Sequence, residues 1–226
     1  MTSLEAEKAL AAQRAVAAEV ADGMLVGLGT GSTATHAIRA IAQRVAGGLR
    51  IEAVGSSLAS EALARSLGID VLAGQTTPRL DLAIDGADEV DPRLVAIKGG
   101  GGALLREKVV AAAADRMLVV VDSTKTVDRL GAFPLPIEVL PFALAWVERA
   151  LEEMGVDATL RVTDGEPATT DQGNYLLDAP LGPIDDPEAI AHRLKQIPGV
   201  IEHGLFLTEV DAVYVARGEN VEVLSR

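Results

Sequence analysis

The chain has 226 residues, 49% of them hydrophobic and 23% charged, with no cysteine and a formal net charge of −13. That length holds an ample core in one domain, or in one domain carrying a smaller second one, so disorder and a miniature disulfide scaffold are excluded, and with them thiolate chemistry and cysteine-based zinc sites. The acidic balance and an aromatic content of 3% argue against a nucleic-acid partner, and no apolar run nears the ~20 residues of a membrane span.

The first residues, Met1 to Glu5, lack the basic-then-apolar order of a signal peptide, so a soluble cytoplasmic protein is expected. Residues 4–21, rich in Ala, Glu, Gln and Arg, read as a helix stopped by Asp22 and Gly23. Met24, Leu25 and Val26 then form a short apolar run ending in glycines, a buried strand entering a tight turn. Ser32 and Thr33 are placed to cap a helix running to about Val45, stopped by Gly47 and Gly48. The pattern repeats with a strand at 51–54, a helix at 57–67 ended by Gly68, and apolar runs at 71–72, 82–84 and 94–97. Four glycines, a helix at 103–114 and a strand at 117–121 complete it. Continuous apolar strands alternating with helices predict an α/β fold with a mostly parallel, Rossmann-like sheet flanked by helices, its ligand at the carboxyl ends of the strands.

After Gly131 the style changes. Prolines 134, 136 and 141 bracket a strand at 137–140, followed by a helix at 142–154, strands at 158–162 and 175–178, a helix at 187–196 and a strand at 200–207. The order β-α-β-β-α-β predicts a smaller ferredoxin-like α+β domain over 131–206. Runs at 213–216 and 221–224 read as two last strands returning to the first sheet. The expected division is therefore a catalytic domain of 1–130 plus 207–226 and a small domain suited to oligomerisation.

Four segments place chemistry just past predicted strands. In Gly27 to Thr33 (G-L-G-T-G-S-T) the glycines allow close backbone approach, and free amides at a helix start favour an anion such as phosphate. Ser32 stands where a dinucleotide fingerprint has its third glycine, no acidic residue ends the next strand, and no Lys precedes Ser32 as a Walker loop requires. Two adjacent hydroxyls favour a single phosphate; a plain strand-to-helix turn is the alternative. In Asp85, Gly86, Ala87, Asp88, two carboxylates across a Gly-Ala turn can face one pocket and raise each other's pKa, which suits acid and base work, although an isolated turn of this kind is commonly a solvated acidic corner. A divalent metal site is a further option there, but no His lies near enough to help.

The third segment is Lys98 followed by Gly99, Gly100, Gly101 and Gly102. An ammonium ending a buried strand can steady an oxyanion, and four glycines are hard to justify by packing alone. Glu107, early in the next helix, can point back over that loop or merely complement the helix dipole. The fourth is Asp122, Ser123, Thr124, Lys125, where Lys125 is either a second cation for a substrate or plain surface. His36, His192 and His203 lack zinc-ligand spacing and read as structural. Phe142 and Trp146, four apart, read as core of the small domain.

Taken together, G-L-G-T-G-S-T-A, A-I-D-G-A-D-E-V-D, K-G-G-G-G-A-L-L-R-E-K, V-V-D-S-T-K and P-L-P-I-E-V-L-P closely resemble the ribose-5-phosphate isomerase A family, in order and over nearly the whole chain. The resemblance implies interconversion of ribose 5-phosphate and ribulose 5-phosphate through a cis-enediolate, in the non-oxidative pentose phosphate pathway, with neither cofactor nor metal. It implies a substrate-binding turn at Thr30, Gly31, Ser32 and Thr33, and an acidic turn at Asp85, Gly86, Ala87 and Asp88 in which Asp85 assists ring opening and handles hydroxyl protons. Lys98 would stabilise the enediolate oxygen within a binding loop of Gly99, Gly100 and Gly101, Glu107 would carry hydrogen between C2 and C1, and Lys125 would contact substrate. Gly102 stands where many relatives have Ala, and a lysine that some members carry early in the first helix has no clear counterpart, Lys8 lying out of register. A homodimer or a dimer of dimers is also implied.

Rival readings are a deaminase or acyl-CoA transferase on the same architecture, a sugar-phosphate sensing domain and a dinucleotide oxidoreductase. No His falls in a motif loop, only about 20 residues precede the first strand, too few for a helix-turn-helix, and the fingerprint is broken at Ser32. The charge itself divides unevenly. Residues 1–130 carry 14 basic and 16 acidic side chains, net −2, against 6 and 17, net −11, in residues 131–226, so most of the net negative charge lies away from the motif loops and does not oppose an anionic substrate.

Overall fold

The computed structural model describes residues 3–226. In chain order the first elements are α1 (Leu4–Glu19), β1 (Leu25–Leu28), α2 (Ser32–Ala46), β2 (Glu52–Gly55), α3 (Leu58–Ser66), β3 (Asp70–Val71) and β4 (Leu82–Asp85). Then come β5 (Glu89–Val90), β6 (Ala96–Ile97), α4 (Leu104–Ala113), β7 (Met117–Asp122), β8 (Leu135–Val139), α5 (Leu144–Glu153), β9 (Thr159–Leu160) and β10 (Val162–Thr163). The last are β11 (Glu166–Pro167), β12 (Tyr175–Ala179), α6 (Pro187–Lys195), β13 (Val200–His203), β14 (Leu205–Phe206), β15 (Ala212–Arg217) and β16 (Asn220–Ser225).

Seven strands form the main sheet in the order β16-β15-β7-β4-β1-β2-β3, parallel except for the β15–β16 edge pair. Its central strands are apolar up to their last residues, Asp85 and Asp122, because both faces are covered: every residue of β4 and β7 is buried. Alternate residues feed opposite cores. Leu28, Ile84, Leu118 and Val120 pack with Ala15 of α1, Ile41 of α2 and Ala64 of α3, whereas Ala83, Val119 and Val121 pack with Val110 of α4 and Phe206. From β1 the chain proceeds outward to β2 and β3, and from β4 it proceeds the other way to β7 and β15. The order therefore reverses between β1 and β4, which is where a doubly wound sheet opens a crevice at its carboxyl ends.

A separate four-stranded sheet has the order β13-β8-β12-β9 and is antiparallel throughout. With α5 and α6 it has the element order of a split βαβ unit. Its core gathers Ile137, Val139, Val147, Leu151, Leu177 and Leu194, and draws in Val95 and Ile97 from the earlier part of the chain. The last two strands return to the main sheet as expected. Among the described residues, no helix is long and apolar enough to cross a membrane.

Several local expectations are corrected. Ser32 and Thr33 do not cap α2: the cap is Gly31, without a side-chain bond, and both hydroxyl residues lie in the first turn. The run at 94–97 does not join the parallel sheet. Asp91 Oδ1 accepts the amides of Arg93 (2.9 Å) and Val95 (3.0 Å), Leu94 takes φ 61°, and β6 folds back antiparallel on β5 and pairs with β14. The strand expected at 200–207 breaks at Gly204, whose amide donates to Pro136 O (2.8 Å) while its carbonyl accepts from Lys98 N (2.9 Å). Pro136 lies inside β8 rather than before it. A hairpin of β10 and β11 turns through Asp164 and Gly165 where no strand pair was expected. Phe142 and Trp146 are not core: they are 79% and 62% exposed, their rings 5.4 Å apart, while Ala143, Val147 and Leu151 form the buried stripe.

Candidate active site

A cavity of about 230 Å³ lies where the loops after β1 and β4 meet the glycine loop that precedes α4. Its walls are Thr30, Gly31, Ser32 and Thr33 after β1, Gly86, Ala87 and Asp88 after β4, Lys98, Gly99, Gly100 and Gly101 after β6, Glu107 of α4, Lys125 after β7, and Lys8 of α1. Of the site residues that the resemblance implies, only Asp85 is absent from the walls; it stands against Lys98.

One end suits an anion. Because Gly31 contributes no capping side chain, the first-turn amides of α2 are left for a ligand, with the positive end of the helix dipole behind them. Lys8 Nζ reaches this end, 3.1 Å from Ser32 Oγ. The loop is pinned from below: Thr30 Oγ1 lies 2.8 Å from the hydroxyls of both Ser56 and Ser57.

The other end holds buried charge. Lys98 is 2% exposed and Glu107 4%. The Lys98 ammonium stands 2.8 Å from Asp85 Oδ2 and 3.3 Å from Glu107 Oε2, donates to Gly86 O at 2.5 Å, and lies 5.4 Å from the centre of the Phe206 ring. The other Asp85 oxygen accepts the amides of Thr30 (3.0 Å) and Gly86 (2.7 Å). Gly29 makes this approach possible: a β-carbon there would lie 2.0 Å from Asp85 Oδ1 and 2.6 Å from its Cα. Asp88 faces the cavity and accepts from Gly100 N at 2.8 Å.

The electrostatics follow from this burial. Desolvation is the largest influence on Glu107; Lys98 opposes it and the Asp85 carboxylate adds to it, so the group is pushed up to about 8. For Lys98, burial works against the charge, but Asp85 and Glu107 together outweigh it and the ammonium is held above its ordinary range. Burial also raises Asp88, against the Gly100 amide and the Lys98 charge. The result is a carboxyl group near neutrality beside a fixed cation, a combination suited to carrying a proton between carbon atoms while an adjacent oxyanion is held.

Three residues of the site escaped the sequence reading. Lys8, out of register in the sequence, lines the cavity. Phe206 lies under Lys98, and Arg161 donates to the carbonyls of Gly99 and Gly100, both at 3.1 Å. Only Lys8 carried a signal, as a cation in the first helix; the other two come from segments far along the chain.

The chain matches the family model for ribose 5-phosphate isomerase A (phosphoriboisomerase A) over residues 52–220. It is 53% identical to ribose-5-phosphate isomerase A of Sphingopyxis alaskensis over 226 residues, covering 100% of this chain and 99% of that protein. It is 47% identical to the Bradyrhizobium diazoefficiens protein of the same name, covering 97% and 95%. Among solved structures, that of ribose 5-phosphate isomerase A from Methanocaldococcus jannaschii has a TM-score of 0.94 at 39% identity, with 99% and 100% of the two chains covered. A D-ribose-5-phosphate isomerase in complex with phospho-erythronic acid has a TM-score of 0.95 at 38% identity, each chain covered in full. With sequence, fold and cavity in agreement over the full length, the chain belongs to the ribose 5-phosphate isomerase A family.

Proposed function

We propose that this protein interconverts D-ribose 5-phosphate and D-ribulose 5-phosphate, with the residues above in the following roles. The observation that carries the reading is Glu107, a buried carboxyl group raised to about 8 and set 3.3 Å from the Lys98 ammonium, in a cavity whose opposite end is an anion site. The substrate phosphate rests on the first-turn amides of α2, Ser32 and Lys8, with Thr30, Gly31, Thr33 and Lys125 completing that end. Phospho-erythronic acid, which a related isomerase binds, has a phosphate for this end and a carboxylate for Lys98.

Ring opening moves a proton from O1 and delivers one to the ring oxygen as the bond between C1 and that oxygen breaks. Asp88 faces the sugar and handles hydroxyl protons directly. Asp85 has one oxygen on Lys98 and the other on two backbone amides, so its share in ring opening is exerted through that ammonium. Glu107 then takes the proton from C2, and the electron pair passes to O1, whose charge Lys98 and the amides of Gly99 to Gly101 hold. Glu107 returns the proton to C1 as the O2 proton moves to O1, giving the ketose. The steps as written need neither a cofactor nor a metal. A coupled assay on ribose 5-phosphate with wild type and Glu107→Gln tests the reading: turnover by the wild type that survives the substitution would remove Glu107 from its role.

That substrate supports a place in the non-oxidative pentose phosphate pathway, and with it a cytoplasmic enzyme. A homodimer or dimer of dimers is supported by the exposed apolar face of Leu140, Phe142 and Trp146, which a second copy would cover.

A further inference from the structure

Building on the isomerase reading, we propose that Arg161 is a positioning residue, its guanidinium clamped by Asp178 so that it sets the peptide planes of the glycine loop and aims their amides at Asp88 and the substrate. Arg161 lies between β9 and β10, outside the main sheet and outside the cavity walls. Its Nε donates to Asp178 Oδ2 at 2.9 Å and its Nη2 to Asp178 Oδ1 at 2.5 Å, a two-point fork that leaves the guanidinium one orientation. The remaining nitrogen, Nη1, donates to two successive carbonyls, Gly99 O and Gly100 O, each at 3.1 Å.

Two carbonyls drawn to one side dictate where the next amides go. None of the described peptide bonds is cis, so each N–H points opposite the C=O of its own plane. Gly99 O turned to Arg161 sends Gly100 N–H the other way, and that amide donates to Asp88 Oδ2 at 2.8 Å. Gly100 O turned to Arg161 likewise sends Gly101 N–H away from the guanidinium, toward the cavity that Gly101 lines. The loop's own hold is one turn bond, Gly102 N to Gly99 O at 2.9 Å, and Arg161 adds the grip on Gly100 O. Gly99 has φ +101°, and consecutive glycines have little conformational preference of their own to keep their amides aimed. A β-carbon at Gly100 would fall 2.5 Å from Asp88 Oδ1, so the approach that makes the amide useful also forbids a stiffer residue.

Arg161→Ala is assayed on ribose 5-phosphate beside the wild type, Arg161→Lys, and Arg149→Ala as an exposed-arginine control. The loop amides meet substrate in the ground state as well as in the transition state, so Arg161→Ala is expected to raise KM by about tenfold or more, with a smaller fall in kcat. Guanidinium ion below denaturing concentration should lower that KM again. Arg161→Lys should stay impaired, because one ammonium cannot grip Asp178 at two points and both carbonyls, while Arg149→Ala should match the wild type. An unchanged KM in Arg161→Ala overturns the proposal. So does a fall in kcat alone without guanidinium rescue, the mark of a merely less folded enzyme. If Arg161→Ala does not fold, Asp178→Asn, which keeps the arginine but loosens it, should give the same rise in KM, and a normal KM overturns the proposal. A wild type without turnover overturns the isomerase reading instead; calorimetric binding of phospho-erythronic acid then decides on Arg161, weaker binding by Arg161→Ala supporting its role and equal binding overturning it.

Discussion

Glu107 Oε2 stands 3.3 Å from the Lys98 ammonium yet accepts no hydrogen bond from it or from any other described group. Attraction without a directed bond leaves this buried oxygen unpartnered. A buried oxygen of this kind costs stability, a cost that the proposed use of Glu107 as a base would account for.

Replacing that oxygen with an amide is the direct trial. Glu107→Gln keeps the shape and removes the base, so kcat is expected to fall by about a hundredfold or more, the range of general base catalysis, with little change in KM. Steady-state kinetics in a coupled assay gives both constants.

The raised Glu107 group predicts opposite pH trends for activity and stability. As the base must be ionised, kcat/KM of the free enzyme should climb with pH toward about 8. A carboxyl group whose folded pKa exceeds its unfolded value of 4.5 contributes stability that is complete below 4.5 and is lost as pH rises toward about 8. The slope is at most about 1.4 kcal/mol per pH unit. Glu107→Gln does not titrate and should lose less over the same window. Denaturant unfolding of the two proteins at either end of that window checks this, and identical losses would contradict it.

Lys98→Met should affect both turnover and folding. Without the cation the enediolate oxygen loses its partner, for a fall in kcat of roughly 10²- to 10³-fold. Asp85 and Glu107 are left as buried carboxyls with no counter-charge, a loss of about 3–5 kcal/mol where both are ionised. An effect on KM alone would demote Lys98 to a binding residue.

Lys8→Ala removes a cation from the anion end. A charge-assisted hydrogen bond is worth about 1.5–3 kcal/mol, so KM for ribose 5-phosphate should rise roughly tenfold to a hundredfold with kcat less affected. Binding of ribose without its phosphate should be unaltered, and a matching loss there would place Lys8 elsewhere in the mechanism.

Trp146→Glu puts a charge in the exposed apolar face. Sedimentation is expected to show the wild type as a dimer or tetramer and the variant shifted toward the monomer; a monomeric wild type would remove the assembly.

Much of this was readable from the chain because its signals are local. The strand–glycine–helix passages at Gly27 to Thr33 and Lys98 to Glu107 carry their own turn chemistry, and β4 and β7 are apolar up to their closing aspartates. What was not readable depends on which surfaces meet. Lys8 enters the site only because α1 packs beside α2, and α1 is too uniformly Ala-rich to announce its buried face. Helix α5 and the turn before it offer two apolar stripes, 143/147/151 and 142/146, and nothing in their composition says which one the sheet takes. Arg161 is one arginine among many until Asp178 and the glycine loop are brought to it.

The hydrogen bond from Thr30 N to Asp85 spans 55 residues, and the one from Met117 N to Asp211, which ties in the returning strands, spans 94. Closing such distances is the slow part of assembling a parallel sheet, since each loop's entropy is lost before its contacts form. In refolding from denaturant, helical signal is expected to return ahead of isomerase activity, because Asp85, Lys98 and Glu107 come together only when the sheet closes.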